Sequence, residues 1–259
     1  MPTKRLLPYL NLLGVIVTIA INLLADALPI NNLSTAEISN SFQVLFVPAG
    51  YVFAIWGVIY IGLIAFGIYQ VLPAQPDNPR LARIGWLFLL SCAANCVWIF
   101  LWHYQQFALT GLMTALLLVS LIAIYLRLGI GRAGASAAER WCVDAPFSLY
   151  VGWASVATIA NITVVLNTWG WPATGPAAVA WTVALLVIGV ALAAAMRWLR
   201  LDAVYGGVIV WAFIGIAVKQ AATPAVAVTA GVGAALVAVL LIALSLPSLR
   251  PIPPAGRAA

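Results

Sequence analysis

The chain has 259 residues, of which 65% are hydrophobic and only 7% charged, and its mean hydropathy is +1.10. So few polar groups cannot solvate the surface of a water-soluble protein of this size, which excludes that class and leaves a membrane protein. The formal charge of +6 comes from Lys and Arg standing singly or in pairs at the ends of apolar runs, with no basic patch interleaved with aromatics, so it does not point to nucleic acid.

The apolar runs recur from end to end at lengths near the roughly 20 residues that cross a hydrocarbon core about 30 Å thick. Segmenting at Pro, Gly and charge clusters predicts eight helices, at about 6–28, 50–72, 84–104, 107–127, 143–166, 176–197, 203–221 and 225–246. Lipid admits only helices or closed barrels, and these runs are too long and too uniformly apolar for the roughly ten-residue alternating strands of a barrel. The expected fold class is therefore all-α, a polytopic membrane bundle of about eight transmembrane helices. The first run is longer than the usual 7 to 15 residue core of a signal peptide and reads as a span. Cys92, Cys96 and Cys142 sit in or beside apolar runs and read as small packing residues, not as a disulfide framework.

With the amino terminus inside, Lys4, Arg5, Arg80, Arg83, Arg127, Arg132, Arg140, Arg197, Arg200, Arg250 and Arg257 face the cytoplasm, and of the 12 basic residues only Lys219 falls outside. This asymmetry predicts an integral, multi-pass protein with both termini cytoplasmic. The longest outer connection, from Pro29 to about Val47, is polar and holds Asn, Ser and Thr where short turns or a capped interfacial helix can start. It is placed to fold over the outer mouth of the bundle. The "HYQQF" junction forces the third and fourth helices to pack antiparallel, and "PSLRPIPPAGRAA" reads as an unstructured tail.

A helix brings residues i, i+3, i+4 and i+7 to one face. This aligns Phe53, Trp56 and Tyr60 on the second helix, Asn95, Trp98 and Trp102 on the third, and Tyr150, Trp153, Ala157 and Asn161 on the fifth. Each stripe mixes rings with an amide or hydroxyl, the composition of a pocket that holds a flat apolar ligand and orients it through a few polar groups. Helix packing or an interfacial belt would use the same residue types. Trp86, Trp141, Trp169, Trp171 and Trp198, near span ends, read as belt; for Trp98 and Trp153, nearer mid-span, lining and packing stay open. Asn22, Asn95 and Asn161 are candidates for interhelical hydrogen bonds or ligand contacts, and Asp26 and Lys219 for an ion pair across the bundle. His103 stands without the partners a metal site needs and reads as an interfacial residue, so no metal is expected.

Three segments carry a family resemblance. "PAGYVFAIWGVIY" keeps Pro48, Val52, Phe53, Trp56 and Tyr60 of a second-helix pattern, "AANCVWIFLW" matches a third-helix Asn-x-x-Trp through Asn95 and Trp98, and "PFSLYVGWAS" matches a fifth-helix pattern through Pro146, Phe147, Tyr150, Trp153 and Ser155. On these motifs the chain resembles the tryptophan-rich sensory protein family, TspO, also called the translocator or peripheral benzodiazepine receptor family. The resemblance covers roughly residues 6–167 and implies a five-helix domain over 1–167, leaving three additional transmembrane helices over 168–246 and a cytoplasmic tail over 247–259. It also implies a cavity between the helices, beneath the long first loop, that binds tetrapyrroles such as protoporphyrin or haem, sterols and synthetic aromatic ligands. Carried over by position, Tyr51, Phe53, Trp56, Trp98, Tyr150 and Trp153 are its contacts, and Tyr60, Asn95, Trp102 and Asn161 join them from the stripes. The sequence departs from the family pattern at Tyr51, where Trp is usual, at Ala54 and Ile55, which replace Gly-Pro, and at Thr158, which replaces an Asn.

The function expected first is a membrane receptor or sensor for a flat hydrophobic ligand. A transporter of such a ligand is the alternative and calls for two access states, preferably with broken helices or an internal repeat. A porphyrin-degrading, light-driven oxidative enzyme is third; nothing in the sequence pairs an acid and a base for hydrolysis. No cofactor is required, porphyrin or haem entering as ligand. The expected partners are the small ligand, the bilayer and, by analogy with the family, a second copy of the chain.

Overall fold

The computed structural model describes residues 2–28, 30–132 and 134–245, with the side chains of the first five residues left aside; the tail expected over 247–259, with Arg250 and Arg257, lies outside the described residues. The fold is all-helical. The first long helix, α1 (Pro2–Ala27), buries Asn11, Val15, Thr18 and Asn22, residues three or four apart that form one face toward the bundle. The connection that follows holds a single 3-10 turn (Ile30–Asn32) and a short helix, α2 (Thr35–Asn40). Ser34 and Glu37 cap α2 reciprocally, each side chain bonding the other's backbone N–H, which fulfils the expectation of a capped helix in the outer loop.

A 3-10 segment (Gly50–Ala54) leads into α3 (Ile55–Val71). The return passes through one turn, α4 (Pro79–Ala82), capped by the Asn78 side chain, before α5 (Leu87–His103). After a link of three residues, α6 (Phe107–Leu128) packs antiparallel to α5 and stops at Gly129, whose φ of 63° supplies the left-handed cap. Then come one turn, α7 (Ala137–Glu139), a π-helical turn (Arg140–Asp144) and α8 (Ala145–Thr168). The chain ends its described part with α9 (Gly175–Arg200), α10 (Ala203–Lys219) and α11 (Pro224–Ala243). Six of the long helices are long and apolar enough to cross a membrane, while α5 and α10, at 17 residues each, are shorter apolar helices packed among them.

The hub is α8. Within its apolar stretch 67% of residues are buried, against 22–33% for the other five long spans, because α3, α6 and α10 all pack on it. The last three long helices are not peripheral to this packing, since one continuous apolar core runs from Phe66 and Phe147 to Phe213 and Val237. Asp202 fastens α10 at its start. Its carboxylate accepts from the Tyr205 N–H at 3.0 Å as a cap, from the Tyr125 hydroxyl of α6 at 2.8 Å and from the Ser148 hydroxyl of α8 at 2.7 Å. At the other end of α10, the Ala49 N–H donates to Gly215 O at 3.0 Å and the Trp211 indole to Val52 O at 3.0 Å. A side chain at Gly215 would run into Val52, so only glycine lets the segment before α3 lie this close to α10.

The Arg residues of the described loops gather at the end of the bundle opposite α2. There Arg127 donates to Arg83 O and Arg200 to Ile130 O. Arg80 is buried, bonds Leu128 O, and forms ion pairs with Glu139 and Asp144. The pair expected between Asp26 and Lys219 is not formed, because α1 packs on α3 and α5 while α10 lies across the bundle on α8, α9 and α11. Cys92, Cys96 and Cys142 are free thiols. Trp86, Trp141, Trp169, Trp171 and Trp198 are exposed near helix ends, where a belt places them.

Candidate ligand cavity

Near the α2 end, α1, α3, α5, α6 and α8 separate around a hollow of about 570 Å³, roofed by α2 and by the segment around Pro48. This volume falls within the roughly 300–1,000 Å³ typical of small-molecule sites. The three sequence stripes meet there. Phe53, Trp56 and Tyr60 come from the α3 side, Asn95, Trp98 and Trp102 from α5, and Tyr150, Trp153 and Asn161 from α8. Tyr51 does not join them. It lies on the opposite side of the segment, 47% exposed, with its ring edge-on to Trp211 at 5.5 Å. It stands two positions before Phe53, more than half a helical turn away, so the geometry that turns Phe53 inward turns Tyr51 toward α10.

The rings form a connected wall. Trp56 stacks on Tyr60 at 5.6 Å and meets Tyr150 at 6.0 Å and Trp153 at 6.2 Å nearly edge-on, and Phe53 meets Trp153 at 5.8 Å. Opposite, Trp98 stacks on Trp102 at 5.5 Å. Such pairs hold their rings in fixed attitudes, each contributing about 0.5–1.5 kcal/mol beyond burial. The floor is polar. Asn22 donates to Asn95 Oδ1 at 2.7 Å, and the Asn95 amide donates to the Tyr150 hydroxyl at 3.1 Å, tying α1, α5 and α8 in one relay. Below this relay Phe66, Phe88 and Phe147, each fully buried, close the bundle with mutual ring contacts of 4.9–5.9 Å. Asn161 has a structural bond as well, accepting from the Thr110 hydroxyl of α6 at 3.1 Å.

Trp98 and Trp153 stand one turn above Asn95 and Tyr150, on facing walls. The indole N–H of each is buried with no acceptor in the protein. An unsatisfied buried donor costs about 1–3 kcal/mol, so both rings are held in place against that cost by the packing around them.

The roof is pinned to the end of α5. Trp102 Nε1 donates to Thr35 O at 3.3 Å, Asn31 donates to His103 O at 3.2 Å, and His103 Nε2 lies 3.5 Å from the Thr35 hydroxyl. His103 is thus not interfacial. It is 0% exposed beneath the loop, with Nδ1 donating to Ile99 O at 2.7 Å.

A family model described as TSPO-like protein matches residues 8–243. The chain belongs to the TSPO-like family. No curated protein and no solved structure matches the chain. The matched range runs from α1 through α11. Membership places the chain among membrane proteins of ligand-binding or transport type.

Several lining residues of this TSPO-like cavity escaped the aromatic stripes: Asn22 and Asp26 on α1, Thr114 and Leu117 on α6, and Thr35 and Ser39 on α2. Asn22 is a candidate ligand contact by its type alone, and a signal for Asp26 was present, since it follows Thr18 and Asn22 at intervals of four along α1. For Leu117 there was none, because an aliphatic residue lining a hollow is indistinguishable in sequence from one filling a core.

Proposed function

We propose that this protein is a membrane receptor or sensor that takes a flat hydrophobic ligand, tetrapyrrole-like or sterol-like, into the aromatic cavity. The observation that carries the reading is the meeting of nine ring and amide residues from three separate sequence stripes around one hollow. Burial against the rings supplies affinity, and the amides and hydroxyls among them supply orientation. The Phe66, Phe88 and Phe147 plug beneath the floor favours sensing over passage, since a transported ligand would have to move three interlocked rings. The positive-inside asymmetry favours a cytoplasmic position for the Arg-rich end, with the α2 roof on the outer face.

The test is a titration of the purified protein in detergent with protoporphyrin dimethyl ester, read by tryptophan quenching. Saturable binding is expected, weakened about tenfold or more by Trp56→Ala through lost ring burial. Trp153→Ala removes a second ring of the same wall and should also weaken binding about tenfold. Unsaturable quenching, or equal affinity in all three proteins, contradicts the proposal.

A further inference from the structure

Asp26 is the one charged residue lining the cavity among the described residues; every other lining residue is a ring, an aliphatic, an amide, a hydroxyl, glycine or proline. It lies one helical turn beyond Asn22, whose side chain reaches Asn95 in the floor, so the face of α1 that carries Asp26 is turned to the hollow. No Lys or Arg balances it. The described arginines lie at the far end of the bundle, Arg80 on Asp144 and Glu139, Arg127 on Arg83 O, and Arg200 on Ile130 O. Lys219 makes no ion pair with Asp26, and the His103 ring is fully buried behind Thr35 with its Nδ1 committed to Ile99 O. The other carboxylate at this end, Glu37 on the roof helix, adds to the negative potential.

Asp26 is exposed at the end of α1, on the rim of the hollow. A ring bearing carboxylates would bring negative charge to a hollow whose lining holds this carboxylate and no cation.

We propose that the cavity selects by charge: it takes a lipophilic aromatic ligand bearing a protonated amine, with the cation toward Asp26, and it discriminates against the anionic form of the same ring. This rests on the ligand-binding reading above and adds the sign of the ligand.

Three forms of one ring test it: protoporphyrin as the free dicarboxylic acid, its dimethyl ester, and a diamide carrying terminal amines, each titrated into the purified protein at neutral pH and low salt. The amine form is expected to bind about tenfold or more tighter than the ester, and the acid about tenfold or more weaker. Asp26→Asn should compress this order toward equality, and Asp26→Glu should restore it. An amine form that binds no tighter than the ester, or an order that persists in Asp26→Asn, overturns the proposal. Failure of the ester itself to bind overturns the ligand-binding reading first, and this inference with it.

Discussion

Tyr51 and Phe53 are two positions apart, and they show how much of the site single residues disclose. Phe53 meets Trp153 in the cavity, whereas Tyr51 meets Trp211 on α10. Helical periodicity alone separates the two, because Phe53, Trp56 and Tyr60 share a face and Tyr51 stands about half a turn away. Position in a family motif assigns Tyr51 to the ligand; the angle does not. Phe53→Ala is therefore expected to weaken binding of protoporphyrin dimethyl ester about tenfold, while Tyr51→Ala leaves that affinity within about twofold and lowers thermal stability by about 1 kcal/mol through loss of the Trp211 contact. Equal loss of affinity in both variants, measured by titration beside a melting curve, would contradict the assignment. The indole donors are the reverse case: nothing in the sequence separates a satisfied tryptophan from Trp98 and Trp153, because satisfaction depends on residues far along the chain.

Among the elements, α2 is the one whose stability has a visible pH dependence. The Glu37 carboxylate accepts from the Ser34 backbone N–H at 2.7 Å and from its hydroxyl at 2.7 Å, and the backbone bond foremost holds its carboxyl below the ordinary value of 4.5. Because the folded value is the lower one, the stabilisation is fully present above 4.5 and is lost as the pH falls through the depressed value. Amide hydrogen exchange over 34–41, corrected for intrinsic rates, should show protection at neutral pH that fades only after the pH has fallen below 4.5, and Glu37→Ala should abolish the difference. Undiminished protection in acid would mean that the capping box does not hold the roof. The box was legible as Ser-x-x-Glu in a polar loop. What α2 covers was not, since its bonds to the end of α5 join residues 67 and 68 apart in sequence.

At the scale of the whole molecule, the number and order of the apolar helices followed from apolar length. The role of α10 did not. Its locks on Val52 and Leu45 bridge 159 and 175 residues, and they depend on Gly215 having no side chain, which no local pattern announces. The helices after residue 167 therefore hold the segment that opens α3, and through it the ring wall of the cavity. Orientation in the membrane can be checked with single cysteines in a chain whose native cysteines are replaced. Ala222→Cys, between α10 and α11, should react with a membrane-impermeant maleimide from outside intact cells, and Ala138→Cys should react only after lysis; the opposite pattern would invert the bundle. The most direct measurement of all is photoaffinity mapping with a diazirine derivative of protoporphyrin dimethyl ester, read by peptide mass spectrometry. Label confined to the cavity faces of α3, α5 and α8, competed away by unmodified ester, is the expected result. Label spread over the lipid-facing sides of α9 and α11, with the cavity residues spared, would contradict it.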